Sequence, residues 1–225
     1  EKILRIAKKY DYRPDFVAQS LAKGRTMTVG LVLFDLYNRS FAQLANSVEE
    51  SAREHGYSVD LVLTDKNPET EYDMLRRLRE RKTDGIILFP INQGQQFEDF
   101  LQSLATPIVT IGNRLSDRWD YVGIRDRQAM KEATLHVIHK GYRSIVYICP
   151  PLAYRNKTNI YTQEERYQGC LEAVSTVQPS PSLTVIQEKD YIQALAKLPL
   201  EQERTAIMCS CDAYALEVLY YLREK

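Results

Sequence analysis

The sequence predicts an α/β fold with two tandem, doubly wound parallel sheets, preceded by a short helical segment. From residue 28 onward, short and continuously apolar strands alternate with amphipathic helices. That alternation is typical of parallel sheets that helices cover on both faces. The strands are too many for one compact sheet, and the strand–helix series restarts near Tyr121. We therefore predict a helical segment at 1–27, a first lobe at 28–121 and a second lobe at 122–225.

Strands are predicted wherever a short apolar run rich in β-branched residues occurs. The predicted strands cover 28–34, 58–64, 84–89, 107–111, 121–124, 144–149, 182–186 and 205–209. Helices are predicted where apolar residues recur three and four positions apart, and Gly56 and Gly141 end two of them. The predicted helices cover 41–55, 70–82, 97–104, 127–140, 162–174, 191–197 and 213–223. Ligands bind at the carboxyl ends of such strands, which in a two-lobed chain means the cleft between the lobes.

Charge is distributed unevenly along the chain. The whole chain has 30 basic and 30 acidic residues, so its net charge is zero. Residues 1–27 contain seven basic and three acidic residues and therefore carry +4, which leaves −4 on the rest. A basic N-terminal segment on a slightly acidic body indicates that one end of the molecule contacts phosphates.

Several protein classes are disfavoured by the sequence. No apolar run is long enough to cross a bilayer, and no signal-peptide pattern opens the chain. We expect a cytoplasmic protein with no membrane partner, whose four cysteines are reduced. Cys209 and Cys211 allow two interpretations, half of a metal site or a buried strand, and their apolar neighbours favour the strand. We therefore expect no metal and no cofactor.

The basic segment predicts two short helices. Apolar residues at Ile3, Leu4 and Ile6 indicate an amphipathic helix over 1–10. A break follows at Tyr12-Arg13-Pro14, and a second helix is predicted at 15–23, where Pro14 begins it and Gly24 ends it. A helix of that length is marginal by itself in water.

Motifs in a fixed order continue along the chain. They are residues 3–32 (ILRIAKKYDYRPDFVAQSLAKGRT, then MTVGLV), Asp35-Leu-Tyr-Asn38 with Phe41, Asp84-Gly-Ile-Ile-Leu-Phe-Pro90, Glu132-Ala-Thr134 through Gly141-Tyr-Arg143, Glu165-Arg-Tyr-Gln-Gly169, and Ala206-Ile207 through Asp212. Together they resemble the LacI/GalR family of bacterial transcription regulators. The resemblance implies the end of a helix-turn-helix headpiece, a hinge helix and a periplasmic-binding-protein-like core. Relative to that family, most of the headpiece and the C-terminal end are missing, so we expect a fragment of a longer chain.

The resemblance implies that the basic segment binds operator DNA. The implied DNA-binding residues are Tyr12, Arg13, Ala18, Gln19, Leu21 and Ala22. Two copies of helix 15–23, one from each subunit of a homodimer, would enter the minor groove and wedge Leu21 into a base step, and each would be helical only with DNA bound. The alternative is that Val17 and Leu21 pack on the core. For Arg13, Lys23 and Arg25, phosphate contact and plain solvated charge both stay open.

The resemblance also implies a small-molecule effector, a sugar or a sugar derivative, with a sugar phosphate among the options. The implied effector-binding residues are Asp35, Tyr37, Asn38, Phe41, Asn113, Arg166 and Asp212. Arg166 and Asp212 suit the hydroxyls of a polar ring. Phe41 is equally consistent with stacking on the effector and with a core position, and Asn113 is equally consistent with a plain turn. The sequence departs from common family residues at 39–40, 112, 125–126 and 211, which leaves the usual free-sugar contacts open.

These features predict a ligand-responsive, DNA-binding transcription regulator, a repressor that acts as a homodimer. Effector binding would change the relative orientation of the lobes and so the spacing of two hinge helices. The alternative is a solute-binding protein of periplasmic type, which shares the two-lobed fold but has a signal peptide and no basic helix. An enzyme is disfavoured, because the chain has no GxGxxG, P-loop or GxSxG motif, and we predict no catalytic residue.

Overall fold

The computed structural model of the chain describes residues 5–6, 9–11, 20, 22, 24–200 and 204–224. The chain divides into two compact units. The first consists of Glu1–Ile111 with Ser116–Asp120, and the second consists of Gly112–Leu115 with Tyr121–Lys225. Each unit is built on a parallel sheet.

The sheet of the first unit has the strand order β2-β1-β3-β4-β5. Its elements are β1 (Thr28–Leu33), α1 (Arg39–Glu54), β2 (Ser58–Leu63), α2 (Pro68–Glu80), β3 (Gly85–Leu88), α3 (Gln95–Ser103), β4 (Ile108–Ile111) and β5 (Asp120–Val122). Strand β1 pairs in parallel with β2 and β3, and β3 pairs in parallel with β4. The polar loops that follow the strands therefore gather at one edge of the sheet.

The core of the first unit is centred on β1, where Leu31, Val32 and Leu33 are fully buried. Helix α2 lies very close to this strand. A Cβ built on Gly30 would stand 2.7 Å from a methyl carbon of Leu78, so a larger residue there would require the Leu78 side chain to shift. Asn67 accepts hydrogen bonds from two backbone N–H groups of the first turn and so begins α2 at Pro68.

The sheet of the second unit has the strand order β7-β6-β8, and both pairs are parallel. Its elements are α4 (Asp126–His139), β6 (Ser144–Ile148), a 3-10 helix (Leu152–Asn156), α5 (Tyr161–Thr176), β7 (Ser182–Ile186), α6 (Tyr191–Ala196), β8 (Thr205–Cys209) and α7 (Asp212–Arg223). Strand β6 is central. Alternate residues along it face the two opposite layers of helices, because successive side chains of a strand point to opposite sides.

One face of β6 contributes Val146 and Ile148 to a cluster with Tyr191, Leu195 and Val218. The other face contributes Tyr147, which packs with Cys149 and Cys170. Helices α4 and α5 touch through their backbones near the second cluster. A Cβ on Gly169 would lie 2.1 Å from the carbonyl oxygen of Arg127, so any larger residue there would force the helices apart.

The predicted fold class is confirmed, since two parallel sheets alternate with helices in the predicted order. Periodicity did not predict the 3-10 helix before α5. Among the DNA-binding residues named above, Ala22 is described as helical and exposed, whereas the other five lie outside the described residues. No helix in the described part of the chain is long and apolar enough to span a membrane.

Candidate functional site

The loop after β1 presents polar groups at the carboxyl edge of the first sheet. Asp35 accepts a hydrogen bond from the backbone N–H of Tyr37 at 3.1 Å, and its second oxygen is 3.5 Å from the ammonium of Lys66. Asn38 begins α1 by accepting from the N–H of Ser40 at 2.9 Å. The side chain of Tyr37 is 96% exposed. Asp35 and Asn38 therefore shape the loop, and Tyr37 is the group free to meet a ligand.

Phe41 packs in an aromatic cluster behind this loop. Its ring lies edge-on to Phe34 and Phe89, with centroid distances of 5.5 and 5.1 Å. Phe34 and Phe89 also contact each other at 4.5 Å. Core packing is therefore enough to explain an aromatic residue at position 41. Stacking of Phe41 on an effector stays a prediction.

A buried carboxylate that sequence reasoning missed shapes the next loop of the first unit. Glu71 has no exposed surface and accepts from the backbone N–H of Ile91, the backbone N–H of Asn92 and the side-chain amide of Asn92, each at 2.8 Å. Burial raises the pKa of the Glu71 carboxyl, against the lowering effect of these three donors. Glu71 thus fixes the loop at the carboxyl end of β3.

The second unit places an ion pair at the carboxyl edge of its sheet. Arg166 donates from Nε to Asp126 at 2.6 Å and from Nη1 to the carbonyl oxygen of Ser210 at 2.6 Å. Asp126 is 4% exposed, whereas Arg166 keeps a quarter of its side chain exposed. The Nη2 group of Arg166 has no hydrogen-bond partner among the described residues, so it is available to a ligand.

Asp212 stands two residues after Ser210, at the start of α7, and its side chain is exposed. Arg166 and Asp212 therefore lie at the same end of the second sheet, and their binding of a shared ligand stays a prediction. The partner role of Asp126 was missed, because it connects residues 40 positions apart. The replacement at 125–126 noted above was the only sequence signal for it.

The side chain of Asn113 is hydrogen-bonded to other residues of the protein. It is 3% exposed, and its amide donates to the carbonyl oxygen of Asn159 at 2.8 Å. Its side-chain oxygen accepts from the N–H and the hydroxyl of Thr162, both at 3.2 Å. This favours a structural role, in which Asn113 holds the segment 112–115 on the second unit, and its place among the effector ligands stays a prediction.

The cysteines lie near this edge without forming a metal-binding group. Burial raises the pKa of the Cys149 thiol to about 12 and that of Cys209 to about 11, so both are protonated at neutral pH. All four cysteines are free thiols. The described residues contain no group of three or more histidine, cysteine, aspartate or glutamate side chains placed to hold a metal.

The opposite end of the first sheet carries the connection to the basic segment. Asp84 accepts from the backbone N–H of Thr26 at 2.9 Å and from that of Met27 at 3.0 Å. The hydroxyl of Thr26 donates to the carbonyl oxygen of Lys82 at 2.8 Å. The chain that follows the predicted DNA-binding helix is therefore fastened to the turn between α2 and β3.

The sequence matches one protein family. The family profile described as periplasmic binding proteins and sugar binding domain of LacI family matches residues 26–222. The match covers most of the chain, and the chain therefore belongs to this family.

Individual relatives are transcription regulators. The HTH-type transcriptional repressor PurR of Haemophilus influenzae (strain PittEE) is 30% identical over 229 residues, which cover 100% of this chain and 67% of the relative. Catabolite control protein A of Priestia megaterium is 28% identical over 233 residues, with 100% and 68% covered. The transcription regulator CcpA of Lactococcus lactis is 25% identical in sequence to this chain. Its crystal structure superposes with a TM-score of 0.72, and the match covers 88% of this chain and 72% of that chain. The chain is accordingly a ligand-responsive transcription regulator of the LacI family and not a plain solute-binding protein.

Proposed function

We propose that this chain is the sensing part of a repressor that binds operator DNA in the cytoplasm and responds to a small-molecule effector. The observation that carries the proposal is the similarity of the whole chain to a repressor. The hydrogen bonds from Thr26 and Met27 to Asp84 support it, because they join the basic segment firmly to the first sheet. A movement of that sheet is then transmitted to the segment that contacts DNA.

The effector is a sugar or sugar derivative, bound at the carboxyl ends of the strands. Membership of a family of periplasmic binding proteins and LacI sugar binding domains supports this ligand class. In the second unit, the free Nη2 of Arg166 and the exposed carboxylate of Asp212 provide a donor and an acceptor at one edge. Charged groups of this kind make strong hydrogen bonds to ring hydroxyls. In the first unit, Tyr37 supplies an exposed ring and hydroxyl at the edge of its sheet.

Thermal unfolding of the purified chain tests the effector class, with sugars, sugar phosphates and nucleobases as the added compounds. The panel includes fructose 1-phosphate, the compound bound in the crystal structure of the Cra regulator of Pseudomonas putida. A ligand at 100 times its Kd should add about 2.7 kcal/mol of stability. Stabilisation by a sugar or a sugar phosphate supports the proposal. Stabilisation by nucleobases alone, or by none of the compounds, contradicts it.

Binding of the full-length protein to its operator tests the DNA-binding assignment. Leu21→Ala should weaken operator binding by roughly a few kcal/mol, because a base-step wedge is lost. It should leave the salt dependence unchanged, since no phosphate contact is removed. Lys23→Ala should instead reduce the salt slope by about 1 if Lys23 contacts a phosphate. Operator binding by Leu21→Ala as tight as that of the parent would favour packing of Leu21 on the core.

The proposal includes a homodimer, in which two subunits present their basic segments together. It rests on the same resemblance as the DNA-binding assignment, which implies two copies of helix 15–23 at one operator. Sedimentation equilibrium of the full-length protein at high micromolar concentration checks the assembly. A dimer is expected, and a protein that stays monomeric under these conditions contradicts it.

A further inference from the structure

The end of the first unit that carries the root of the basic segment also carries a cluster of cations. Five of the seven residues from 76 to 82 are basic. Arg76 is occupied by Asp73 at 3.0 Å, and Arg81 is occupied by Asp60 at 2.6 Å. Arg77, Arg79 and Lys82 are exposed and form no ion pair with any residue that the structure describes. We call Arg79, Arg81 and Lys82, together with Arg25, the basic rim.

The position of the basic rim follows from the strand order. Because the sheet is parallel, α2 runs back from the carboxyl edge and ends at the amino edge, where β3 begins. The hydroxyl of Thr26 donates to the carbonyl oxygen of Lys82, so the rim and the root of the basic segment are in direct contact. A cavity of about 520 Å³ lies between them. Its lining includes Ser20, Arg25, Thr26, Arg81 and Lys82.

The neighbouring acids offset part of this charge, but Arg79 and Lys82 form no ion pair with any residue that the structure describes. Asp60 is held by Arg81, and both oxygens of Asp84 accept hydrogen bonds from Thr26 and Met27. Glu80 is the remaining acid in the lining of the cavity. Cations in the last turn of a helix also interact favourably with the helix dipole. This interaction is enough to explain why basic residues stand at positions 77 and 79. It does not explain Arg25 or Lys82, because both lie outside α2.

The geometry points to a second DNA contact: the basic rim binds phosphodiester groups of the duplex that flank the site occupied by the basic segment. This inference rests on the proposed function, since it requires that the basic segment be on DNA. Phosphate contacts of this kind position a protein and add affinity without selecting sequence. The rim would therefore strengthen binding to every duplex and make the end of α2 with the turn that follows it, and not only the basic segment, a part of the DNA interface.

The test is the salt dependence of binding of the full-length protein to a 30-base-pair duplex of random sequence, roughly three turns of DNA and long enough to reach beyond one site. The variant is Arg79→Gln with Lys82→Asn. Glutamine keeps the helix at 79, and asparagine tolerates the left-handed backbone of Lys82, whose φ is 56°. The matched control is Lys140→Gln with Lys197→Gln, which removes two exposed cations from the second unit.

Each lost phosphate contact lowers the slope of log K against log salt by about 0.9. The rim variant should therefore have a slope smaller by about 2, and its deficit in affinity should grow about tenfold between 0.2 and 0.05 M salt. The control should bind like the parent. A rim variant with the parent's slope, while the parent binds DNA, overturns the inference and leaves the proposed function intact. A parent that does not bind duplex DNA at 0.05 M salt contradicts the proposed function itself. Circular dichroism of both variants confirms that the folded state is unchanged.

Discussion

Both units bury one carboxylate at the carboxyl edge of their sheet, and they stabilise it in opposite ways. In the first unit Glu71 is surrounded only by neutral donors, two backbone N–H groups and the amide of Asn92. In the second unit Asp126 is paired with the guanidinium of Arg166. The neutral donors around Glu71 leave the pKa of its carboxyl raised by burial, so the charge of Glu71 depends on pH.

The difference shows what each carboxylate can do. Glu71 uses both oxygens to order a loop of backbone and has no charged partner to lose. Asp126 orders a side chain, Arg166, which also reaches the carbonyl oxygen of Ser210 and presents a free Nη2. The first arrangement fixes the shape of a loop, whereas the second fixes the guanidinium of Arg166 at the edge of the sheet. The two sites should accordingly respond differently to mutation and to pH.

The largest effect is expected for Arg166→Ala. It leaves the carboxylate of Asp126, which is 4% exposed, without its partner. Uncompensated buried charge is costly, and we expect a loss of about 3 kcal/mol of unfolding free energy. The measurement is urea unfolding followed by far-ultraviolet circular dichroism. The single tryptophan, Trp119, belongs to the first unit, so its fluorescence transition should change little.

Arg127→Ala is the matched control for this prediction. Arg127 is 3.6 Å from Glu165 and 3.5 Å from Glu172, and these groups are partly exposed, so the loss should stay below about 1 kcal/mol. The double variant Arg166→Ala, Asp126→Ala should be more stable than additivity predicts, because the orphaned charge is removed with its partner. Strict additivity of the two single losses would show that the pair does not act as a unit.

Glu71→Gln is expected to have the next largest effect. The amide keeps one acceptor oxygen and directs an NH2 group at donors, so buried N–H groups are left unpaired, at a cost of about 2 kcal/mol. The change should appear in the fluorescence transition of Trp119, which reports on the same unit. Glu69→Gln, an exposed neighbour on the same helix, is the control and should be close to neutral.

The pH dependence gives this prediction a second readout. The folded-state pKa of Glu71 is raised above its ordinary value of 4.5. The contribution of Glu71 to the free energy of unfolding is therefore fully present below pH 4.5 and is lost as the pH rises through the raised pKa. The stability gap between parent and Glu71→Gln should therefore be largest near pH 4.5 and narrow towards neutral pH. If the stability difference between parent and Glu71→Gln widens with rising pH, the Glu71 carboxylate is stabilised by a positive charge, as Asp126 is. The two sites would then be alike.

The elements of both units were predictable from the sequence, but their two carboxylates were not. Alternating apolar runs and helical periodicity depend on local spacing, and within residues 24–200 and 204–224 they placed every strand and helix except the 3-10 helix at Leu152–Asn156. The pairing of Arg166 with Asp126 depends on the packing of α4 against α5, which no local pattern encodes. Glu71 did leave a signal: it stands on the buried stripe of α2 with Leu75 and Leu78, where an acid is out of place.

A smaller effect, confined to binding, is expected for Asp212→Asn. Asp212 is exposed and, among the described residues, accepts only from the adjacent N–H of Ala213, so the folded state should not change. Loss of one charged hydrogen bond should weaken effector binding by about 1.5–3 kcal/mol. Calorimetry with the compound found in the thermal screen measures it. Asp99→Asn, an exposed acid on α3, is the control, and equal affinities of the two variants would remove Asp212 from the effector site.

At the edge of the first unit, Phe41 and Tyr37 should separate packing from ligand contact, with a smaller loss of stability than Arg166→Ala or Glu71→Gln causes. Phe41 lies edge-on to Phe34 and Phe89, so Phe41→Leu forfeits two aromatic contacts and should cost about 1 kcal/mol in the Trp119 transition. Tyr37→Ala should leave that transition unchanged, because its side chain is 96% exposed. It should instead weaken effector binding, whereas Phe41→Leu should not. If Phe41→Leu weakens effector binding more than Tyr37→Ala does, then Phe41 is the stacking residue, and the edge of the first unit holds the ligand by its aromatic cluster. In that case the contrast between a loop-shaping first unit and a ligand-directed second unit would fail, because both edges would bind the effector through groups anchored in their cores.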